Sequence, residues 1–193
     1  MRLAIFGGTF DPVHNAHLAI GRAAADAFSL DRVLFVPAAR PPHKAGFTHA
    51  AYEDRVNMLE LVCHGDTRFE VSLLERDTAC SYSILTIEKV RARLAPADEL
   101  LFIIGADAFA EFRTWYRWRD VAGAVTFLVV SRPGHRYDIP QGARAVRLDT
   151  VDMPISSSDI RRALAAGQRP SEVPCEVLEY IFQHGLYGTG VQV

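Results

Sequence analysis

The 193-residue chain has few cysteines and no long apolar segment. Cys63, Cys80 and Cys175 are odd in number and far apart, which argues against a disulfide framework and against a C-x-x-C metal motif. No stretch approaches the roughly 18 consecutive apolar residues of a membrane-spanning helix, and the apolar start after Arg2 is too short for a signal peptide. These absences predict a cytoplasmic protein without a membrane partner.

An excess of basic charge is also lacking. Lysine and arginine total 21 against 23 acidic residues, which gives a formal net charge of −2 and a pI near 6.4. Nothing in this balance favours nucleic acid or an anionic membrane, so any phosphate must be bound by local groups. The composition is that of an ordinary globular protein, and no repeat, linker or low-complexity segment is present. We expect a single domain over residues 1–193.

Short apolar runs alternate with helical segments along the chain. The runs have the aliphatic composition of strands buried on both faces, and they occupy residues 2–6, 32–37, 68–74, 99–104, 125–130 and 144–148. Helical patterns occupy residues 17–28, 52–63, 83–94, 118–124, 158–167 and 175–185. This alternation predicts an α/β fold with a Rossmann-like, doubly wound, mostly parallel sheet, helices on both faces and a C-terminal helical segment.

The stretch GGTFDPVHNAH at residues 7–17 follows the first strand. Gly7 and Gly8 allow a tight turn and leave backbone N–H groups open to an anion. His14 and His17 lie about one helical turn apart near a helix N-terminus, whose free N–H groups favour phosphate. We therefore interpret the stretch as a phosphate site rather than as a glycine turn with two incidental histidines.

The start of the helix behind the histidines has two candidate caps. Asp11 could be the N-cap with Pro12 at the first helical position, or Asn15 could take that role. Either choice keeps both histidines near the helix N-terminus.

A second candidate phosphate site lies near the C-terminus, in PISSSDIRRAL at residues 154–164. Asp159 follows Ser156 by three positions, close to a capping box, so simple helix capping is the alternative interpretation. Arg161 and Arg162 lie in the first turns of the helix, where the dipole disfavours a cation. That placement favours an anion bound between the serines and the guanidinium groups.

These two segments resemble the signatures of the nucleotidylyltransferase superfamily. Residues 7–17 match the pattern written H-x-G-H or T-x-G-H, and residues 154–164 match I-S-S-T/S-x-I-R. The resemblance implies that His14, His17 and Arg161 are the catalytic contacts to the phosphates of ATP. It also implies ATP-binding roles for Gly7, Gly8, Thr9, Phe10, Gly105, Asp107, Ser156, Ser157, Ser158 and Arg161.

Three internal segments resemble the bacterial nicotinate-nucleotide adenylyltransferases within that superfamily. They are PPHK at 41–44, ERDTACSYSILTIE at 75–88 and IIGADAFAEFRTWYRWRD at 103–120. The resemblance implies that Asp107 accepts hydrogen bonds from ribose and that Trp115 stacks on a pyridine ring. The acceptor contacts that it implies are Asp11, Lys44, Tyr82, Ser83, Trp115 and Tyr116.

Plain structural roles stay open for several of these residues. Lys44 could be a solvated loop lysine, Ser81 could cap the third helix, and Trp115 could be a core aromatic. Ser83 stands where the family has threonine, which is a mild change. Ala16 stands where the family has glycine between the histidines, and a helical conformation there would tolerate its methyl group.

The resemblance implies transfer of AMP from ATP to nicotinate mononucleotide, which gives nicotinate adenine dinucleotide and pyrophosphate in NAD biosynthesis. Mg²⁺ is expected through the phosphates of ATP, without a protein metal site. The alternatives are a pantetheine-phosphate adenylyltransferase or related transferase, a Rossmann oxidoreductase, which would need G-x-G-x-x-G after the first strand, and a non-catalytic nucleotide-binding protein. The sequence leaves open the preference for acid over amide pyridine, a homo-oligomeric state, the lid and the effect of Ala16.

Overall fold

A computed structural model describes residues 1–41, 48–131, 137–149 and 155–190. Its strands are β1 (Arg2–Gly8), β2 (Arg32–Pro37), β3 (Phe69–Val71), β4 (Glu99–Gly105), β5 (Thr126–Ser131) and β6 (Arg144–Asp149). Its helices are α1 (Asn15–Ala27), α2 (Tyr52–Cys63), α3 (Ser83–Arg91), α4 (Ala106–Ala110), α5 (Trp118–Ala124), α6 (Ser157–Ala165) and α7 (Cys175–Gln183). Two short 3-10 turns cover Phe112–Thr114 and Leu186–Gly188.

The six strands of the described residues form one parallel sheet in the order β3-β2-β1-β4-β5-β6. This topology confirms the predicted α/β fold. The chain winds one way from β1 to β3 and the other way from β4 to β6, so a crevice opens between the carboxyl ends of β1 and β4. Phe6 pairs with Ile103 in the register, and Gly8 and Gly105 each lie two residues beyond that pair. Both glycines therefore flank the crevice.

Hydrophobic cores cover both faces of the sheet. Alternate residues of each buried strand point to opposite faces. Thus Phe6 and Phe35 pack with α1, α2, α6 and α7 on one face, whereas Phe102 and Phe127 pack with α3, α4 and α5 on the other. Within the described residues, no helix has the length and apolar character needed to span a membrane.

The bounds of α2 and α5 agree with the predicted ones, whereas β1 and the turn after it do not. Gly7 and Gly8 continue the strand, because Gly8 pairs with Pro37 of β2. The left-handed conformation needed for the turn is adopted instead by Phe10, with a φ of 48°. A Cβ on Gly8 would lie 3.0 Å from the Phe10 ring, so this glycine provides space rather than a left-handed conformation.

Two further elements, one helix and one strand, differ from the prediction for local reasons. Helix α4 was not predicted, because its five residues are too few to show a helical repeat. Strand β3 has three residues instead of seven, and only Val33, Leu34 and Phe35 of β2 pair with it.

Candidate active site

The two histidines lie at the N-terminus of α1, against each other. His14 is the N-cap residue in extended conformation, and its N–H donates to Nδ1 of His17 at 3.2 Å. The rings stack with centroids 3.7 Å apart, and Phe10 contacts the His17 ring edge-to-face at 5.0 Å. Because Nδ1 of His17 accepts a hydrogen bond, the neutral ring carries its proton on Nε2. His17 thus has an N–H donor fixed in direction.

The packing around the two rings disfavours their charged forms. Burial lowers the pKa of His14 to about 4. Burial, and then the neighbouring His14, lower the pKa of His17 well below its usual range. Both imidazoles are therefore neutral in the free protein at neutral pH, and positive charge on them requires an added anion.

The cap of α1 differs from both predicted ones. Neither Asp11 nor Asn15 is the N-cap, since Asn15 is the first helical residue and its side-chain amide donates to the carbonyl of Ser171 at 3.1 Å. The backbone N–H of Asn15 donates to the carbonyl of Glu172 at 2.8 Å. The segment before α7 therefore fixes the start of α1.

The N-terminus of α6 lies against the loop that carries the histidines. Arg161 donates through one guanidinium nitrogen to the backbone carbonyl of Asp11 at 2.7 Å and through the other to Oγ of Ser158 at 3.1 Å. Oγ of Ser157 is 3.5 Å from the carbonyl of Pro12. The helix ends behind the two predicted phosphate motifs thus meet at one edge of the sheet.

Arg161 and Arg162 differ in their described partners. Both hydrogen-bond acceptors of Arg161 are neutral, and none of the described carboxylates lies within ion-pair distance of it. Arg162 pairs with Asp159 in the same helix. Asp159 is therefore an ion-pair partner rather than part of a capping box, while Ser156 caps α6 by accepting from the N–H of Ser158 at 3.2 Å.

The carboxylate of Asp11, a predicted acceptor contact, is bound within the protein. This residue is 3% exposed. Its Oδ2 accepts from the N–H of His49 at 2.7 Å, and its Oδ1 accepts from the N–H of Ala50 at 3.1 Å and from the hydroxyl of Tyr187 at 2.8 Å. Asp11 thus holds three segments of the chain together, and its acceptor contact stays a prediction.

Arg55 is a residue of the site that the sequence did not indicate. It is 1% exposed and donates to the backbone carbonyl of Thr9 at 2.7 Å. Its guanidinium lies over the ring of Tyr52 at 5.5 Å, and burial lowers its pKa. An arginine in a helix is usually exposed, so no local signal in α2 could have identified Arg55 as buried.

Among the predicted acceptor residues, Tyr82 and Trp115 pack against the core on the other face of the sheet. Tyr82 is the N-cap of α3, and its ring faces that of Tyr116 with centroids 4.5 Å apart. Tyr116 is 53% exposed. Trp115 is half-buried, with edge-to-face contacts to Phe102 at 6.0 Å and Phe112 at 5.5 Å. The structure thus brings three predicted aromatic residues together at the start of α3 and the end of the 112–114 turn.

Ser81 is not the cap of α3. It exchanges two hydrogen bonds of 2.9 Å with the backbone of Arg40, which ties the segment before α3 to the loop after β2. Ser83 is the first residue of α3. Lys44, with most of the PPHK segment, lies outside the described residues, so its predicted contact stays a prediction.

The remaining predicted contacts line the crevice itself. Gly7 and Gly8 end β1, and Thr9 lies just beyond them. Gly105 ends β4, and an added Cβ there would meet no atom within 4 Å. Asp107 is exposed in the first turn of α4. No group of three or more His, Cys, Asp or Glu side chains among the described residues could hold a metal ion.

Residues 5–163 match the model of the cytidylyltransferase-like family. The chain is also 66% identical over 187 residues to a protein of Solibacter usitatus named "Probable nicotinate-nucleotide adenylyltransferase", a match that spans 97% of this chain and all of that protein. The chain belongs to the cytidylyltransferase-like family. A family member of the same name from Thermus thermophilus is 43% identical over 189 residues, again over 97% of this chain and all of the relative.

Two solved structures share the fold. The nicotinic acid mononucleotide adenylyltransferase of Plasmodium falciparum, in complex with NaAD, superposes with a TM-score of 0.80 at 17% identity, over 98% of each chain. A putative nicotinate-nucleotide adenylyltransferase of Vibrio parahaemolyticus gives a TM-score of 0.71 at 22% identity, over 98% of this chain and 96% of that one. At these identities the likeness establishes the architecture.

Ala16 stands where the family pattern has glycine, and the structure shows why this position accepts a methyl group. It is the second residue of α1, buried, and it is absent from the residues with positive φ. Alanine is the residue that most favours a helix, by about 1 kcal/mol over glycine. The replacement therefore creates no backbone strain here.

Proposed function

We propose that this protein transfers the adenylyl group of ATP to nicotinate mononucleotide. An oxygen of the acceptor's phosphate attacks the α-phosphorus of ATP, the bond from that phosphorus to the bridging oxygen breaks, and pyrophosphate leaves with the electron pair. The products are nicotinate adenine dinucleotide and pyrophosphate. No nucleophile of the protein takes part, so catalysis consists of alignment and charge stabilisation.

The observation that carries this proposal is the meeting of two helix N-termini at the switch point of the sheet. One helix brings His14 and His17, and the other brings Arg161, which contacts the loop before His14 directly. The positive dipole ends of both helices, and an arginine without a described carboxylate partner, form a site for a polyphosphate. The names of the close relatives support ATP as that polyphosphate.

We assign the histidines to the phosphates of ATP. The Nε2–H of His17 donates to a phosphate oxygen, and a bound triphosphate raises the pKa of both imidazoles, which otherwise stay neutral. A hydrogen bond that strengthens as charge grows on the leaving group lowers the barrier to transfer. Arg161 stabilises the same developing charge.

The donor set also fits Mg²⁺ bound to the substrate. Mg²⁺ prefers oxygen ligands and usually keeps several waters when it accompanies nucleoside phosphates. The described residues provide no cluster of carboxylates to hold it alone, so the phosphates would be its main ligands. When bound, it neutralises charge on the phosphates.

The acceptor binds on the side of Tyr82, Trp115 and Tyr116 in this proposal. A pyridinium ring is cationic, and the faces of tyrosine and tryptophan attract cations by about 0.5–2 kcal/mol. Ser83 at the start of α3 offers a hydroxyl for the pyridine substituent.

We also keep the prediction that the reaction takes place in the cytoplasm.

The proposal is tested by measuring the pyrophosphate that forms when purified protein is incubated with ATP and Mg²⁺. Nicotinate mononucleotide, nicotinamide mononucleotide and phosphopantetheine are supplied in separate reactions, with His17→Ala as the inactive control. We expect turnover with nicotinate mononucleotide. Turnover with phosphopantetheine alone would refute the acceptor, and turnover with none of the three would leave a nucleotide-binding protein.

A further inference from the structure

The C-terminal turn of the chain reaches the loop that carries the histidines. Residues Leu186–Gly188 form a 3-10 turn, and the hydroxyl of Tyr187 donates to Oδ1 of Asp11 at 2.8 Å across 176 positions of sequence. Burial and the adjacent Asp11 raise the pKa of Tyr187. The phenol therefore stays protonated and remains the donor.

The backbone of Tyr187 is held in an unfavourable conformation. Its φ is 57°, in the left-handed region that side chains with a Cβ rarely adopt, and Gly185 and Gly188 beside it have φ values of 60° and 81°. Such a conformation costs about 1–2 kcal/mol for a residue other than glycine. It persists only where surrounding contacts fix it, and Thr189 provides two of them by donating to the carbonyls of Ile181 at 3.2 Å and Leu186 at 2.8 Å.

Asp11 connects this turn to the reacting groups. Its side chain accepts the Tyr187 hydroxyl, while its backbone carbonyl accepts Arg161. Three residues later in sequence the chain reaches His14, which caps α1 and binds His17. Loss of the Tyr187 hydroxyl leaves Oδ1 with only the N–H of Ala50, so the loop before His14 loses one of its fixed points.

We propose that Tyr187 is a positioning residue for adenylyl transfer, which acts through Asp11 on His14, His17 and Arg161. This inference rests on the proposed function. A displacement of about 1 Å in such groups is enough to slow a reaction by about 10²-fold, so a single distant hydrogen bond can matter for catalysis.

The chain provides a matched control in the same C-terminal region. The hydroxyl of Tyr180 in α7 donates to Oδ1 of Asp54 at 2.9 Å, which is the same tyrosine-to-aspartate hydrogen bond. That hydroxyl also accepts from Asn57 at 2.9 Å. Asp54 and Asn57 belong to α2, not to the histidine loop. Tyr180→Phe thus removes an equivalent bond without touching Asp11.

The experiment compares Tyr187→Phe with Tyr180→Phe in steady-state kinetics and thermal unfolding. For Tyr187→Phe we expect kcat to fall about tenfold or more, with the KM for each substrate within about threefold of the parent. For Tyr180→Phe we expect kcat within about twofold of the parent. Equal kcat in Tyr187→Phe and the parent, or an equal loss in both variants, would overturn the positioning role.

A readout without turnover separates this inference from the proposed function. We expect the imidazole NMR signals of His14 and His17 to move in Tyr187→Phe and to stay in place in Tyr180→Phe. An inactive parent enzyme would count against the proposed function alone, and the NMR signals would still decide on Tyr187. Unchanged signals in Tyr187→Phe would refute the connection through Asp11.

Discussion

At the scale of single residues, His17 combines a fixed orientation with an unused donor. Its Nδ1 accepts from the backbone of His14, which leaves Nε2–H for a phosphate oxygen. We expect His17→Ala to lower kcat by about 10²-fold or more, as removal of a preorganised donor to a transition-state oxygen does. His184 is the control, because it is exposed and stacks on Tyr180 away from the crevice. Equal kcat in His17→Ala and His184→Ala would contradict the role of His17.

The low pKa of His14 predicts an acid-sensitive fold. The folded pKa of about 4 lies below the ordinary value of 6.5, so the unfolded chain binds the extra proton first as the pH falls. This contribution to stability is complete above pH 6.5 and is lost as the pH falls toward 4. Between about pH 7 and about pH 5 the loss is about 2 kcal/mol.

Chemical denaturation at the two pH values measures that loss. His14→Gln cannot gain the proton, so its free energy of unfolding should fall less over the same interval, by about 2 kcal/mol. An identical pH dependence in the variant and the parent would show that His14 titrates normally.

The positions of the histidines, the serines and Arg161 at helix N-termini were predictable, because each lies in a local pattern. The burial of Asp11 and Arg55 was not predictable, for the opposite reason. Their partners are Tyr187 and the carbonyl of Thr9, which lie far away in sequence. A single sequence does not show which distant groups will surround a buried charge.

At the scale of elements, α1 packs on the sheet through a glycine. A Cβ on Gly21 would lie 2.9 Å from the Phe69 ring and 3.1 Å from the Phe35 ring, so the helix could not keep its distance from β2 and β3. Gly123 in α5 has nothing within 4 Å of such a Cβ. The two helical glycines therefore differ only in the space around them.

Alanine substitution at these glycines should have opposite effects on stability. Alanine favours a helix by about 1 kcal/mol over glycine. We expect Gly123→Ala to raise the free energy of unfolding by up to about that amount, and the melting temperature with it. In Gly21→Ala the clash with two phenylalanine rings outweighs the gain, and overpacking of this kind costs about 1–3 kcal/mol. A higher melting temperature in both variants would mean that α1 can move away from the sheet.

The larger helices and buried strands could be predicted from composition and period, since their apolar residues recur along the chain. The short elements could not. Helix α4 and the Leu186–Gly188 turn are fixed by packing on neighbours rather than by their own sequence. The cap of α1 was also mispredicted, because Asn15 binds Ser171 and leaves the cap position to His14.

At the scale of the whole molecule, the proposed function requires that two distant motifs form one site. The parallel topology places the carboxyl ends of β1 and β4 side by side, and α6 returns to β1 with 150 positions between Asp11 and Arg161. The sequence predicted that convergence through the family resemblance, whereas the carbonyl contact that produces it could not be predicted.

Calorimetric titration with a non-hydrolysable ATP analogue tests the convergence most directly. His17→Ala and Arg161→Ala are compared with Arg162→Ala, whose guanidinium is paired with Asp159. We expect one binding site per chain, with an affinity about tenfold or more weaker in each of the first two variants and within about twofold of the parent in Arg162→Ala. Two independent sites, or parental affinity in Arg161→Ala, would contradict a shared polyphosphate site.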